Sequence, residues 1–482
     1  MTVRTLDPAN RHLAQSPRWN AARVVLGVLR AEGYEAYLAG GCVRDMLLGH
    51  EPKDYDVATS ATPDVVLDLF PRTFAVGAHF GVVLVSMEMD GVSTLTEVAT
   101  FRSDGVYSDG RRPDEVRYTL SAEEDVERRD FTINGLLLDP ETWLSGSPVP
   151  DLRAAVLDYV NGVADLETGV IRAIGDAVRR CEEDHLRMLR AVRFAARFEF
   201  AIEAATMAAI QSLAPKIRSV SNERVREELT RMLTEGHARR AFELLDDTGL
   251  LVHVLPEVAR LKGVAQPPQF HPEGDVWLHT LQLLQQLEPG CALTLAWGAL
   301  LHDIGKPATF QAPSGPDDRI RFNGHVEVGV RIAAEICGRL RFSNEETAQI
   351  LGLVENHMRF ADAQRMSAST LKRFFRLNNF PEHLALHRMD CRASSLDLTG
   401  HLDNYEFARE RYENMPPEQV RPEPLLTGWD LIAMGYRPGP AFKTMLHAVE
   451  EAQLEGAIQS SEEAARLIQT QFAPPERARG DA

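Results

Sequence analysis

Two aspartates two positions apart, Asp54 and Asp56, run into the apolar pair Val57-Ala58. On an extended strand, residues i and i+2 share a face, so both carboxylates would point the same way. Like charges held that close call for a cation between them, and Mg2+, with its preference for oxygen, suits them. In-line phosphoryl transfer between metals needs such a pair. Glu97, in the apolar run Thr94–Phe101, is the candidate third carboxylate. Upstream, Gly40-Gly41 follows Tyr37-Leu38-Ala39. That is the pattern of a strand-to-helix turn, where main-chain amides can meet a phosphate. Arg44, one turn further on, adds a charged donor.

Further along, Arg128-Arg129-Asp130 sets two cations beside one acceptor. Asp184 and Arg187 are three apart, which makes them neighbours on a helix. Arg190 and Arg193 continue the same ridge. A carboxylate beside a guanidinium can meet the edge of a base, with Asp taking the exocyclic amine and Arg the ring acceptors. A separate set follows: His279 in DVWLHT, His302-Asp303 in LLHDIGKP, His325 in FNGHVE, His357 in ENHM and Asp390 in RMD. Imidazole with carboxylate suits Mn, Fe, Ni or Co better than Mg.

These residues need elements to hold them. The 482 residues exceed one ordinary domain. The first 170 mix short β-rich runs, Phe80–Met87 and Thr94–Phe101, with Gly and Asp turns. From about 171 the apolar spacing is helical. A Pro/Gly-rich stretch, Gly263–Gly274, reads as a linker, and Ala312–Asp318 as a polar loop. Leu425–Leu446 reads as two helices joined by Gly435–Pro440, and Ala473–Ala482 as a frayed end.

The ordered blocks together carry a resemblance. AGGCVRD followed by DYD resembles the polymerase-β-type nucleotidyltransferases, and more narrowly the bacterial tRNA nucleotidyltransferase and poly(A) polymerase family, the second CCA-adding class. Thr100–Pro113 resembles that family's flexible loop, Arg128–Gly135 its ribose block and Glu183–Phe194 its base-selecting helix. Gly135 departs from the pattern, which has alanine there. The His/Asp set resembles the HD superfamily of metal-dependent phosphohydrolases.

The resemblance implies an α+β chain. A nucleotidyltransferase head with a small mixed sheet (20–165) would precede an all-α neck (166–262), an HD domain (270–400) and a helical tail (411–475). It implies CCA addition from CTP and ATP to tRNA 3′ ends, with an A-adding enzyme or a poly(A) polymerase as the alternative. Asp54, Asp56 and Glu97 would be catalytic, with Mg2+ on the two aspartates. Gly41, Arg44, Arg129, Asp130, Asn134, Asp184, Arg187, Arg190 and Arg193 would hold the nucleotide. His279, His302, Asp303 and Asp390 would be the core ligands of a transition metal such as Mn, Ni or Fe, with His325 and His357 completing a second position. The HD chemistry implied is hydroxide attack on a phosphoester, as in a phosphatase or 2′,3′-cyclic phosphodiesterase.

Bulk composition sets limits on this reading. The formal charge is −18, from 52 Lys+Arg against 70 Asp+Glu. Residues 1–170 carry net −12, while 171–264 carry net +2. The segment 171–240, with 14 Lys+Arg against 10 Asp+Glu, is therefore the candidate for tRNA backbone contact. The five cysteines are scattered and without a C-x-x-C pair, which suits a reducing cytoplasm. Met1–Asn20 shows no secretory pattern, and the most apolar window, Ala292–Leu301, is too short to span a bilayer. Neither a membrane nor a protein partner is expected.

Overall fold

The computed structural model describes residues 16–75, 81–104, 116–145, 152–268, 271, 274–315, 318–394 and 399–472. The loop block Thr100–Pro113 lies outside the described residues from position 105, as do both chain ends on which a leader and a frayed end were judged. The chain divides into two compact units. One runs to Ala259 and includes Glu288–Gly290; the other holds Arg260–Leu287 and the chain from Cys291.

The first unit is built on strands β1 (Ala36–Ala39), β2 (Val57–Thr59), β3 (Thr73–Phe74), β4 (Val82–Met89), β5 (Val92–Thr100), β6 (Arg102–Asp104), β7 (Val116–Tyr118), β8 (Leu136–Leu138) and β9 (Val156–Asp158). Seven of them form one mixed sheet in the order β3-β4-β5-β2-β1-β8-β9, and β6 pairs with β7. Only β2 and β5 run parallel in that sheet. Helix Pro17–Ala31 starts where Ser16 Oγ accepts from Trp19 N at 3.1 Å, with proline in its first turn. Its buried face, Trp19, Ala22, Val25, Leu26 and Leu29, packs on β1, β2, β4 and β5. Along β5, Thr94, Thr96 and Val98 are buried while Leu95 and Glu97 face out, the alternation a one-sided sheet requires.

Helices follow: Ala177–Glu183, Leu186–Arg197, Ala204–Leu213, Asn222–Thr234 and Ala238–Asp247. Leu186–Arg197 packs against both Asn222–Thr234 and Ala238–Asp247. The stretch is not wholly helical. Val170–Ile171 and Ala201–Ile202 form a short parallel pair on either side of Leu186–Arg197 in the chain.

The second unit is α-helical, apart from isolated backbone pairings. His279, His325 and Asp390 lie on helices Val276–Leu284, His325–Arg339 and Phe380–Ser394, while His302-Asp303 and His357 directly follow helices Leu293–Leu301 and Asn344–Asn356. Phe360, Phe374, Phe375 and Phe380 form an aromatic core. Towards the C-terminus, Gly428–Ala433 and Pro440–Glu455 form the expected helix pair, joined through Gly435–Gly439. They pack with Ser461–Gln471 around Leu431, Met445, Val449 and Ile468. Among the described residues, no helix is long and apolar enough to cross a membrane.

Candidate active sites

The first site begins at β1. Gly40 adopts φ +70°, and a Cβ there would lie 2.9 Å from Arg129 Nη1. Glycine is what lets the guanidinium close over the turn. Asp54 and Asp56 lie just ahead of β2, not within a strand as expected. The alternation still holds. Tyr55 between them is buried against Trp19, ring centres 5.5 Å apart, so the flanking carboxylates face the other way. Asp56 O accepts from Ala39 N at 2.9 Å, which ties the pair to β1. β2 pairs in parallel with β5 through Val57↔Val98, which sets Asp56 beside Glu97.

The three carboxylates act on one another. Burial, then Glu97, then Asp54 push Asp56 up to about 7, with Arg129 pulling the other way. Glu97, exposed on its strand but desolvated by the cavity wall, is raised as well, first by that desolvation and then by Asp54. Mutual repulsion of this kind is what a divalent cation relieves, so the donor set fits Mg2+.

The arginines are arranged differently from the sequence reading. Arg128 and Arg129 do not flank Asp130. Both bind Asp125, at 2.6 Å and 2.9 Å, one from each carboxylate oxygen. Helix Ala122–Glu127 brings Asp125 round at i−3 and i−4 spacing. Asp130 instead accepts from Arg190 at 2.8 Å, from Phe131 N at 2.8 Å and from Asn134 Nδ2 at 3.0 Å. Despite its burial, Arg190 and Asn134 hold its carboxyl at about 2. Asn134 passes the network on, its Oδ1 accepting from Arg44 Nη1 at 2.5 Å. Arg44 is buried, paired with Asp45 at 2.7 Å and laid over the Phe198 ring at 4.7 Å.

Asp184 and Arg187 are not an i,i+3 pair. Asp184 stands between two helices in extended conformation, its Oδ1 accepting from Leu186 N at 3.1 Å. Its Oδ2 accepts from Arg224 of helix Asn222–Thr234 at 2.7 Å. Arg187 is held by Glu183 at 2.8 Å and by the carbonyls of Arg180 and Arg128 at 3.0 and 3.1 Å. Arg193 turns inward to Glu228 at 2.7 Å.

All the candidate residues of this set line one cavity of about 800 Å³. Eleven Arg or Lys face six Asp or Glu around it. Sequence reasoning missed Lys53, Arg102, Asp125, Glu183, Arg197, Arg224, Arg231 and Glu235. The helical spacing of Asp125 and Glu183 from their arginine partners was the available signal; the others come from distant elements.

The second site lies in the second unit. The atoms that could hold a metal fall into two groups, His279, His302 and Asp390, and Asp303, His325 and His357. The expected core of four is thus divided, with Asp303 on the other side. It touches both groups: Oδ2 is 3.1 Å from His302 Nε2, and Oδ1 is 3.8 Å from both His325 and His357. Each of three imidazoles is oriented from behind. Nδ1 of His302, His325 and His357 donates to the carbonyls of Ala299, Phe322 and Val354 at 2.9, 3.0 and 2.7 Å. Nε2 of each ring is then the buried atom turned toward Asp303. Burial holds His357 down at about 4, so its ring is neutral. Buried lone pairs converging with two carboxylates fit divalent metals.

Two residues of this site were not foreseen. Lys306 Nζ donates to Asp303 Oδ2 and to Gln266 Oε1, both at 2.7 Å. Gly305 has a steric reason: a Cβ there would lie 2.1 Å from His325 O and 2.6 Å from Gly329 N. Helix His325–Arg339 can start beside the His302-Asp303 turn only because nothing projects from Gly305.

The family models match in chain order. The "Poly A polymerase head domain" matches residues 36–172. "Probable RNA and SrmB- binding site of polymerase A" matches 199–262, and "HD domain" matches 276–405. Residues 36–172 are thus similar to the poly A polymerase head-domain family. CCA-adding enzymes of Geobacillus thermodenitrificans and Lactobacillus helveticus are 40% and 39% identical to it over 243 and 269 residues. Those matches cover 50% and 55% of this chain and 56% and 63% of the relatives, so the chain matches little more than half of their length. The Bacillus stearothermophilus CCA-adding enzyme in complex with CTP is similar over 95% of this chain and 98% of that one, with TM-score 0.68 and 27% identity. The Thermotoga maritima CCA-adding enzyme complexed with tRNA shares the fold, at TM-score 0.56 and 17% identity. Poly A polymerase head and HD domains both imply use of divalent metals.

The departure from the poly A polymerase family pattern at Gly135 has a local cause. A Cβ there would lie 2.8 Å from Val160, 3.1 Å from Val126 and 3.2 Å from Ile174. These three side chains fill the space that a methyl group would take.

Proposed function

We propose that this chain is a tRNA nucleotidyltransferase that adds CCA, from CTP and ATP, to tRNA 3′ ends. One observation carries the reading: a single cationic cavity presents three carboxylates together with Asp184 and Arg187, each held by other partners. Asp54, Asp56 and Glu97 would hold Mg2+, which when bound neutralises the triphosphate and activates the attacking hydroxyl. Gly41 and Arg129 position the phosphates, while Arg44 and Asn134 stiffen the floor beneath them. Asp130, with Arg190, meets the ribose. Asp184 accepts from the exocyclic amine shared by cytosine and adenine, and Arg187 donates to ring acceptors. The tRNA 3′-oxygen attacks the α-phosphorus in line, and pyrophosphate leaves. Positioning and charge neutralisation do most of the work.

In this reading, residues 20–165 form the head, 166–262 the neck that meets the acceptor arm, 270–400 the HD domain and 411–475 the tail. The HD domain is a metal-dependent phosphohydrolase acting as a phosphatase or 2′,3′-cyclic phosphodiesterase. His279, His302, Asp303, His325, His357 and Asp390 would hold Mn, Ni or Fe, which when bound supplies hydroxide at neutral pH. Free cysteines and these substrates support a cytoplasmic reading.

The test is incubation with tRNA ending at its discriminator base, first with CTP alone and then with CTP and ATP. Two cytidines and then one adenosine are expected. No cytidine on that tRNA, with adenosine added to tRNA already ending in CC, would make the chain an A-adding enzyme instead.

A further inference from the structure

Three helices of the second unit that deliver ligands to the His/Asp cluster meet a second time, away from it. Glu382, on helix Phe380–Ser394, is buried. Its carboxylate accepts from Thr294 Oγ1 at 2.7 and 2.9 Å, from Gln349 Nε2 at 3.1 Å and from Asn379 Nδ2 at 2.5 Å. Thr294 belongs to helix Leu293–Leu301 and Gln349 to helix Asn344–Asn356. The spacing is the same in all three. Thr294 stands eight residues before His302, Gln349 eight before His357, and Glu382 eight before Asp390. His302 and His357 keep helical dihedrals at their helix ends, so each interval is two turns and a little, about 12 Å of helix.

Midway along two of these intervals is a close contact. Gly298 lies four residues from Thr294 and from His302, and Leu353 four from Gln349 and from His357. A Cβ on Gly298 would be 2.6 Å from Leu353 Cδ1. Residues four apart share one ridge of a helix. Each helix therefore carries its polar residue on one side of a tight contact and its ligand on the other. A tilt about that contact moves both ends, so whatever fixes Thr294 and Gln349 also fixes His302 and His357.

Helix Leu293–Leu301, LTLAWGALL, shows why such a tie is needed. Apart from the Trp297 indole, Thr294 is its one polar side chain. A helix that is apolar all round has no face that must point inward, and apolar burial is non-directional. A slip of one residue turns a helix by about 100° and slides it by about 1.5 Å. Metal ligation tolerates only about 0.2 Å in distance. Directional hydrogen bonds to Glu382 choose one rotation. The side-chain partners of Glu382 are all uncharged. A buried charge is weak evidence for stability, and fixing register is the best-attested use of such a group. The other two histidine-bearing helices are tied elsewhere. Gln286, just past helix Val276–Leu284, donates to Met389 O beside Asp390 at 2.8 Å, and Gly305 seats the start of helix His325–Arg339.

We propose that Glu382 is a positioning residue for the metal centre. Through Thr294 and Gln349 it sets the rotation and slide of the helices that deliver His302 and His357, and it holds its own helix, with Asp390, in step with them. The proposal rests on the reading of the cluster as a divalent-metal centre.

The test is a titration of Co2+, which imidazole and carboxylate ligands suit, into the metal-free full chain. Mg2+ in excess occupies the carboxylates of the first site, and the visible absorption of Co2+ reports its ligands. The wild-type chain should bind Co2+ with an absorption band that His302→Ala removes. Glu382→Gln turns an amide N–H toward the donors of its partners. It should raise the Co2+ dissociation constant about tenfold and shift the band, the scale of coupling carried by packed rigid elements. Thr294→Val keeps the shape, removes one donor and should raise the constant about threefold. Val449→Ala, in the separate core around Leu431, should lower the unfolding midpoint of the metal-free chain and leave Co2+ binding unchanged.

A lower midpoint in Glu382→Gln with the dissociation constant and band unchanged would make Glu382 a structural residue only and overturn the proposal. Equal weakening of Co2+ binding by Val449→Ala would overturn it too, because the effect would then be one of stability. If Glu382→Gln does not fold, Thr294→Val decides by the same criterion. A wild-type chain that binds no Co2+, or binds it no differently from His302→Ala, overturns the metal-centre reading and the proposal with it.

Discussion

Asp56 is pushed up to about 7 by burial, Glu97 and Asp54, so each carboxylate's charge is costly until a cation arrives. Replacing Asp54 with alanine should therefore lower nucleotide addition by about three orders of magnitude, the scale of losing one preorganised charged group at the transferring phosphate. Gel assays of CTP incorporation would show it, and HD hydrolysis should be unchanged. Loss of both activities together would contradict two separate sites. Asp125 makes a subtler case. It grips Arg128 and Arg129 at once and is itself held low by them, although burial opposes this. Asp125→Asn should free both guanidiniums and raise the KM for nucleotide about tenfold, with a smaller change in kcat. At Gly135, an added methyl would meet Val160, Val126 and Ile174. Gly135→Ala should cost about 1–2 kcal/mol in thermal or urea unfolding, the ordinary scale of overpacking. An unchanged midpoint would show that the three side chains simply move aside.

Elements decide how the readers are presented. Had Asp184 and Arg187 shared a helix face, they would have paired with each other, and a base would have had to break them apart. The break between helices Ala177–Glu183 and Leu186–Arg197 prevents this, while Arg224 and Glu183 take the partner positions. Arg224→Ala should therefore let Asp184 swing and weaken selection of CTP and ATP over UTP and GTP by about tenfold, with Arg224→Lys restoring part of it. Single-nucleotide incorporation with each triphosphate measures that ratio. In the second unit, Gly305 sets the approach of helix His325–Arg339. Gly305→Ala forces backbone apart and should abolish metal binding there, read by elemental analysis of the purified chain, while CTP incorporation persists.

Across the whole molecule, the charge of −18 conceals a cavity where eleven cations face six acids. Binding of tRNA should then be electrostatic but local. Filter binding should show affinity falling about tenfold from about 50 to about 200 mM salt, as expected when only a few phosphates are neutralised. A salt-independent affinity would remove the cationic cavity and neck from the binding account.

Local order in the chain carried much of this. The Gly-Gly turn, the alternation around Tyr55, the run of Glu97 and the sequence of His and Asp ligands are each set by a few neighbouring residues, and periodicity and residue chemistry express them directly. The helical texture after 171 and the tail helix pair were legible for the same reason. Partnerships were not. Whether Asp130 faces Arg129 or Arg190, and whether Asp184 meets Arg187 or Arg224, depends on which distant element arrives first at a desolvated charge. Asp303 was likewise legible as a ligand type, but its position touching both histidine groups was not. A buried ion pair is settled by three-dimensional geometry and by the cost of leaving any charge unmatched. Linear spacing cannot express that competition. The kinds of atoms the chain brings to its chemistry were determined by the sequence alone; which of them are left uncommitted for a ligand was decided by the tertiary structure, because only packing determines which charges neutralise one another.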